Sequence, residues 1–296
     1  MKSRNILTAL LAGLLFTACN DTTPEPLWHS VSRYYQPDAN DTSHIARLRR
    51  SFYANTGSYL LLTDTIRHDS VGVDMYGRTV YDTERLDLNY NIGTSNLSYD
   101  KQTYTLLSDT AEIRQAVDFV SEFVAPHFTG LARPYMYLVV RNIFTQRVGG
   151  GTTASYALSG QRGLAVACDY ILQRERTQAQ KQNLANRMIS VMLSRVTSDN
   201  IERFADFKAV SNGYYDVTWS NYGSDRNSVL RGMGFIAPSS ATPGSTPSVE
   251  YDLSLYADAV QNQDSARFAL TYGAWPKCMR KYNIMRRRLP ELGYVK

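Results

Sequence analysis

Two short runs of the 296-residue chain, YMYLVV at 135–140 and GLAVAC at 163–168, are apolar almost from end to end. A strand with one wet face alternates apolar and polar side chains, so unbroken runs of this length read as buried strands. Other segments supply neighbours for them. SYLLLT at 58–63 reads as a short strand, and LDLNYNI at 86–92 alternates with period two as a half-buried strand does. Ser43 to Tyr53 carries Ile45, Leu48 and Phe52 at helical spacing, and Asp109 to Val124 is a second helical stretch with Asp109 placed as N-cap. Beyond residue 170 the pattern turns helical. A long helix starts near Thr177 with the apolar stripe Leu184, Met188, Val191 and Met192, and two more cover Tyr251–Val260 and Trp275–Leu289 after the low-complexity loop IAPSSATPGSTPS. The fold class expected is α+β, with a mixed sheet in the N-terminal half and a helical C-terminal half.

The first residues, MKSRNILTALLAGLLFTAC, set the compartment. Lys2 and Arg4 form a positive start, and the apolar run Ile6–Phe16 is too short to span a bilayer, so residues 1–18 read as a signal peptide. Its end, Phe16-Thr17-Ala18-Cys19, has the lipobox pattern, in which the cysteine becomes a diacylated N-terminus. Each acyl methylene buried in lipid contributes about 0.8 kcal/mol, so two or three chains on Cys19, palmitate among them, anchor a protein firmly. Residues 19–41, rich in Pro, Thr, Asn and Asp, read as a tether, and 42–296 as a single domain.

Without Lys2 and Arg4 the chain carries 30 basic against 27 acidic residues, a balance of +3 that gives no reason to expect nucleic acid as a partner. The cluster Arg280, Lys281, Arg286, Arg287 and Arg288 reads as a solvated helix face. An exported protein permits a disulfide between Cys168 and Cys278, but Cys168 lies in an apolar run where a free thiol acts as a small hydrophobe. Gly149-Gly150-Gly151 continues Thr-Thr-Ala and so lacks the Lys-Ser/Thr of a phosphate-cradling loop. Ser159, in Ala-Leu-Ser-Gly, lacks the first glycine of a nucleophile elbow.

The long helix runs into a segment crowded with Tyr214, Tyr215, Trp219 and Tyr222. Phe207, Ser211, Gly213, Tyr214, Tyr215 and Trp219, then Gly234-Phe235-Ile236 and Val249-Glu250-Tyr251-Asp252-Leu253, follow an order and spacing that resemble the substrate import-associated zinc metallohydrolase lipoproteins, a zincin-like metallopeptidase family. In that family a strand-rich half leads to a helix bearing His-Glu-x-x-His, and a second helix supplies another ligand. The resemblance covers most of 42–296 and implies a zincin-like scaffold, an outer-membrane anchor facing the cell surface or the periplasm, and two partners: an outer-membrane importer and its glycan-binding lipoprotein.

The catalytic positions depart from that pattern. Ser190 and Ser194 stand where the resemblance implies histidines, Val191 where it implies the glutamate base, and Leu253 where it implies the third ligand. A serine hydroxyl is a poor zinc ligand beside imidazole, and valine moves no proton. No histidine occurs after His127, and the four present, His29, His44, His68 and His127, have no metal spacing; His68 reads as a loop residue. The expectation is a pseudoenzyme with no metal and no cofactor, using Tyr214, Tyr215, Trp219 and Tyr222 to line or brace a cleft while it serves in glycan or peptide import. Two alternatives stay open: an active zinc metallohydrolase with unrecognised ligands, and a surface glycan- or protein-binding lipoprotein unrelated to zincins. Glu202, Asp206, Asp216 and Asp252 remain as carboxylates for acid–base work.

Overall fold

The computed structural model describes residues 34–86, 88, 101–147, 150–160, 163–218, 225–242 and 244–296. The expected signal peptide, Cys19, most of the tether and nearly all of the strand expected over 86–92 lie outside the described residues.

Helix α1 (His44–Thr56) begins where the Ser43 hydroxyl accepts the Ala46 N–H, and it stops at Gly57 in the left-handed region. Strands β1 (Tyr59–Leu61), β2 (Thr65–Val73), β3 (Thr79–Arg85) and β4 (Lys101–Thr105) follow. Helix α2 (Thr110–Phe123) is capped by the Asp109 carboxylate, which takes two N–H groups. Then come β5 (Met136–Val140), β6 (Asn142–Gln146), β7 (Thr152–Ser155), β8 (Ala157–Ser159) and β9 (Gly163–Ala167). The remainder is helical: α3 (Asp169–Leu172), α4 (Gln178–Asp199), α5 (Ala205–Val210), α6 (Arg226–Met233), α7 (Val249–Asn262), α8 (Ser265–Tyr272) and α9 (Pro276–Leu292). The architecture is mixed, with the strands before residue 168 and helices after it.

The main sheet has the order β1-β5-β9-β8; β1, β5 and β9 are parallel, and β8 runs antiparallel on the edge. Both apolar runs are its central strands. Tyr137, Val139, Leu164 and Val166 enter one core with Phe52 of α1, Val117 and Val120 of α2 and Met188 and Leu193 of α4. Met136, Leu138, Val140, Ala165 and Ala167 point to the opposite face, where Tyr35, Leu88 and Ile143 cover them.

With both faces dry, polarity cannot set the register of β9; volume does. A one-residue slip would exchange Leu164 and Val166 for Ala165 and Ala167. That opens a void on one side, at about 2–5 kcal/mol per large-to-small exchange, and overpacks the other, at about 1–3 kcal/mol.

Several sequence expectations change here. Tyr34 and Tyr35, placed in the tether, belong to the folded body: Tyr35 is buried, and its carbonyl takes the Arg49 guanidinium at 2.6 Å. His68 lies in β2 rather than in a loop, stacked on Tyr81 at 4.4 Å. Cys168 and Cys278 are both buried and free, so the permitted disulfide does not form. Burial pushes the Cys168 thiol up to about 12, as suits an inert core residue.

The closing helix is fastened to the turn after α2. Gly293 ends α9 at φ 102°, and its carbonyl accepts both the backbone N–H and the hydroxyl of Thr129, at 2.8 and 3.0 Å. A Cβ on Gly293 would stand 1.9 Å from the Thr129 carbonyl oxygen. Gly293→Ala therefore adds a collision to the ~1–2 kcal/mol cost of a left-handed L-residue, and should lower the urea midpoint by more than that strain alone. An unchanged midpoint would show that the α9 end is not fixed to Thr129.

Candidate functional site

Helix α4 starts with a reciprocal cap: the Thr177 hydroxyl accepts the Gln180 N–H, and the Gln180 side chain accepts the Thr177 N–H. Its buried stripe is Leu184, Ala185, Met188, Ile189, Met192, Leu193 and Val196. Val191, expected within the stripe, is only half-buried. The face turned to α7 is polar. Ser190 Oγ lies 2.7 Å from Asp258 Oδ1 and 2.8 Å from Gln261 Oε1. One turn earlier, Asn186 Nδ2 donates to Asn262 Oδ1 at 3.3 Å, and the Asn186 carbonyl accepts from Gln261 Nε2 at 2.8 Å. Asn262 Nδ2 in turn donates to Asp258 Oδ1 at 3.0 Å. Two positions four residues apart on α4 thus face α7 through uncharged side chains, and Asp258 is the one carboxylate in this network of bonds.

Of the four positions singled out by the resemblance, Ser190 alone joins this network. Leu253 is fully buried in the core, and no side-chain hydrogen bond links Ser194 to Ser190, Asp258 or Gln261. Among the described residues, no three His, Cys, Asp or Glu side chains converge as a metal-binding group. Serine, asparagine and glutamine, bonded to one another around a single carboxylate, do not make a donor set for zinc.

Beside α4, a cleft of about 90 Å³ is lined by Tyr156, Tyr170, Gln180, Asn183, Leu184 and Arg187. Ordinary small-molecule sites enclose about 300–1,000 Å³, so this one suits the side chain of a larger partner. The Arg187 guanidinium lies 4.9 Å over the Tyr156 ring, and Arg176 stacks 3.8 Å over Tyr170. Beside it runs β8, hydrogen-bonded to no strand but β9 among the described residues and packed against α4, where the Ser159 hydroxyl faces the Val191 carbonyl. Sequence reasoning missed both tyrosines, because a residue between two strands and one in a one-turn helix carry no periodic signal.

The aromatic segment lies elsewhere. Trp219 and Tyr222 are outside the described residues. Tyr214 is exposed, with the Lys277 ammonium 5.0 Å over its ring. Tyr215 braces the interior: its ring meets Phe235 edge-on at 5.2 Å, and its hydroxyl donates to Asp252 Oδ2 at 3.1 Å. That carboxylate also takes Lys281 Nζ at 2.6 Å, and both ion-pair partners are fully buried. Lys281, expected on a solvated face, is instead boxed by Phe207, Tyr215, Phe235 and Tyr256, at 4.8, 4.9, 4.4 and 5.8 Å from its nitrogen to the ring centres. A long polar residue on an amphipathic helix hides its partner, which sits on another element, so no local pattern could reveal the pair.

Burial raises the Asp252 carboxyl to about 6 against the opposing pull of Lys281, and burial likewise lowers the Lys281 ammonium. Asp252 Oδ1 is buried without a hydrogen-bond partner among the described residues, so the carboxylate is only half solvated by the protein. The other acidic candidates do not join it. Asp206 is held by Arg287 and Arg288 at 3.0 and 3.1 Å, Glu202 lines the same surface hollow, and Asp216 occupies an exposed left-handed turn.

Comparison with protein-family models, with curated proteins and with solved structures returns no match for this chain.

Removing one member of a buried ion pair strands the other. Lys281→Met should cost about 3–5 kcal/mol of unfolding free energy, while Asp252→Leu/Lys281→Met should recover most of it. A double variant no better than the single one would show that the aromatic box itself requires a cation. The pair also sets a pH dependence. Since the folded Asp252 pKa of about 6 exceeds the unfolded value of about 3.9, the folded state holds a proton the unfolded state has lost between those values. Its contribution to stability is complete below pH ~4 and lost as pH rises through about 6. Urea midpoints across that window should fall in the natural protein relative to Asp252→Asn; parallel profiles would refute the raised carboxyl.

Proposed function

We propose that this chain is a catalytically inactive metallopeptidase-like lipoprotein, anchored in the outer membrane through Cys19, that acts as a binding or accessory component of a nutrient import system. Its partners in this reading are the importer and the glycan-binding lipoprotein of the same system.

The observation that carries the proposal is the α4–α7 contact. A strand-rich half leads into α4, and from it, one turn apart, Asn186 meets Asn262 and Ser190 meets Asp258 on a second helix. Two imidazoles at such positions and one carboxylate opposite are what a zinc platform needs. Here neutral side chains fill the positions and satisfy one another, so the two-helix frame stands without a metal. In this reading the degenerate frame lies one turn earlier than the resemblance suggested, at Asn186-Arg187-x-x-Ser190, with Asp258 rather than Leu253 opposite. Arg187 then stands at the position of the base, where a guanidinium offers hydrogen-bond donors and no acceptor.

What the surface retains is recognition. β8 ends the sheet among the described residues, and the cleft beside it offers Arg187 and two tyrosine rings. Of the import substrates, glycan or peptide, such an edge favours an extended peptide that adds to it as a strand.

Restoring the donor set tests the frame. Asn186→His, Arg187→Glu and Ser190→His together, with Asp258 in place, should bind one zinc per chain by metal analysis of the purified protein, and the natural chain should hold none. Stoichiometric zinc in the natural chain would overturn the pseudoenzyme reading. A folded triple variant without zinc would overturn the metallopeptidase-like frame.

A further inference from the structure

The ribbon formed by β2 and β3 is hydrogen-bonded to no other strand among the described residues. Among the described residues it meets the body at its base, where Ile66 packs against the face of the sheet that holds Met136 and Leu138. Beyond His68 the ribbon is exposed on both faces, and the side chains it exposes are unusual. Of the fifteen large hydrophobic side chains exposed among the described residues, six belong to this ribbon: Val71, Val73, Met75, Tyr76, Val80 and Tyr81. Met75 and Tyr76, at the tip, are 89% and 75% exposed. Scattered apolar residues need no explanation, but six on one projecting element make a patch.

The tip is also built to hold its shape. Asp74 Oδ1 accepts the N–H groups of Tyr76 and Arg78, Gly77 takes the left-handed conformation the turn requires, and Arg78 Nε closes on Asp74 Oδ2 at 2.8 Å. That ion pair leaves the tip without net charge, and the exposed apolar side chains of Val73, Met75 and Tyr76 share its surface with the paired Arg78 guanidinium. A Tyr and a Met beside valines is the composition that settles at the boundary of headgroups and acyl chains.

The path of the chain says what covers it. The first described residue, Tyr34, is fastened to the ribbon itself: its hydroxyl donates to Asp69 Oδ2 at 2.7 Å, and the Arg67 guanidinium lies 5.8 Å over its ring. From Asp69 to Met75 is six residues, about 20 Å of strand. Cys19 precedes Tyr34 by fifteen residues, whose fully extended reach is about 50 Å. An acyl anchor on Cys19 therefore holds the ribbon tip within reach of the same bilayer at high effective concentration, so a modest apolar contact is enough.

We propose that the β2–β3 ribbon is a second membrane contact, in which Val73, Met75 and Tyr76 dip into the lipid surface that holds the acylated Cys19 and fix the orientation of the domain above it. The inference rests on the Cys19 anchor and on none of the metallopeptidase reading. Because Asp74 and Arg78 cancel each other's charge at the tip, the contact should be indifferent to anionic lipid.

The test uses the full acylated chain in phosphatidylcholine vesicles, with an environment-sensitive fluorophore on Met75→Cys or, as control, on Leu270→Cys of α8, which is 88% exposed. Cys168 and Cys278 are fully buried and do not compete for the label. Emission at position 75 should rise severalfold and be quenched by spin-labelled acyl chains, while position 270 stays water-like. Val73→Ser/Tyr76→Ser should abolish the rise at 75 without releasing the protein from vesicles. A protein that floats with vesicles but keeps position 75 in water overturns the ribbon contact alone. A protein that does not float overturns the anchor and the ribbon contact together. A rise at 75 that follows protein concentration and ignores lipid would assign the tip to a second copy of the chain instead.

Discussion

The C-terminal half is organised around one lysine taken out of water. Lys281 of α9 reaches Asp252 at the start of α7, and the rings around it come from α5, from the segment after it, from the turn following α6 and from α7. Hiding two charges costs several kcal/mol per ion, and the attraction between them does little more than offset that. The stabilisation comes from what the pair gathers: Phe207, Phe235 and Tyr256 are each completely buried, and each large side chain so removed from water contributes about 1.5–3 kcal/mol. The ion pair's part is to fix which elements meet, since an apolar cluster alone would tolerate several arrangements.

Within the aromatic segment, Tyr215 is a packing residue. Tyrosines clustered after a long helix invite a reading as cleft walls. Tyr215 turns inward, its hydroxyl occupied by Asp252, and Ser211 is spent on the Met233 carbonyl at 2.7 Å. The surface that remains available near α4 is on its other flank, where Tyr156 and Arg187 meet below the edge of β8. The polar α4–α7 contact and the Tyr156–Arg187 cleft are thus separate features of the same helix.

How much of this could be read in the sequence follows from how local each signal is. The strands Met136–Val140 and Gly163–Ala167 were legible because burial on both faces leaves an unbroken apolar run, and α2 and α4 because their caps, Asp109 and Thr177, sit just ahead of a helical stripe. The β2–β3 ribbon was not, because a strand wet on both faces has no alternation to detect. Lys281 was misread for the same reason in reverse: its local setting is a basic helix face, and Asp252, twenty-nine positions away, decides otherwise. That Asn186 and Ser190 are the α4 side chains bonded to α7 was not legible either, since spacing along one helix cannot say which stripe looks at its neighbour.

The strand order of the main sheet has a consequence for how the chain assembles. β5 lies between β9, where Met136 pairs with Gly163, and β1, where Met136 pairs with Tyr59. The first ladder closes a loop of roughly a third the length of the second, and loop-closure entropy favours it by about 1 kcal/mol. β9 also offers five partner residues against three from β1. The β5–β9 ladder is thus the natural seed, and β1, arriving with α1 behind it, is an outlying strand added to a finished edge, which makes the N-terminal margin of the sheet the first part to come away when the protein breathes.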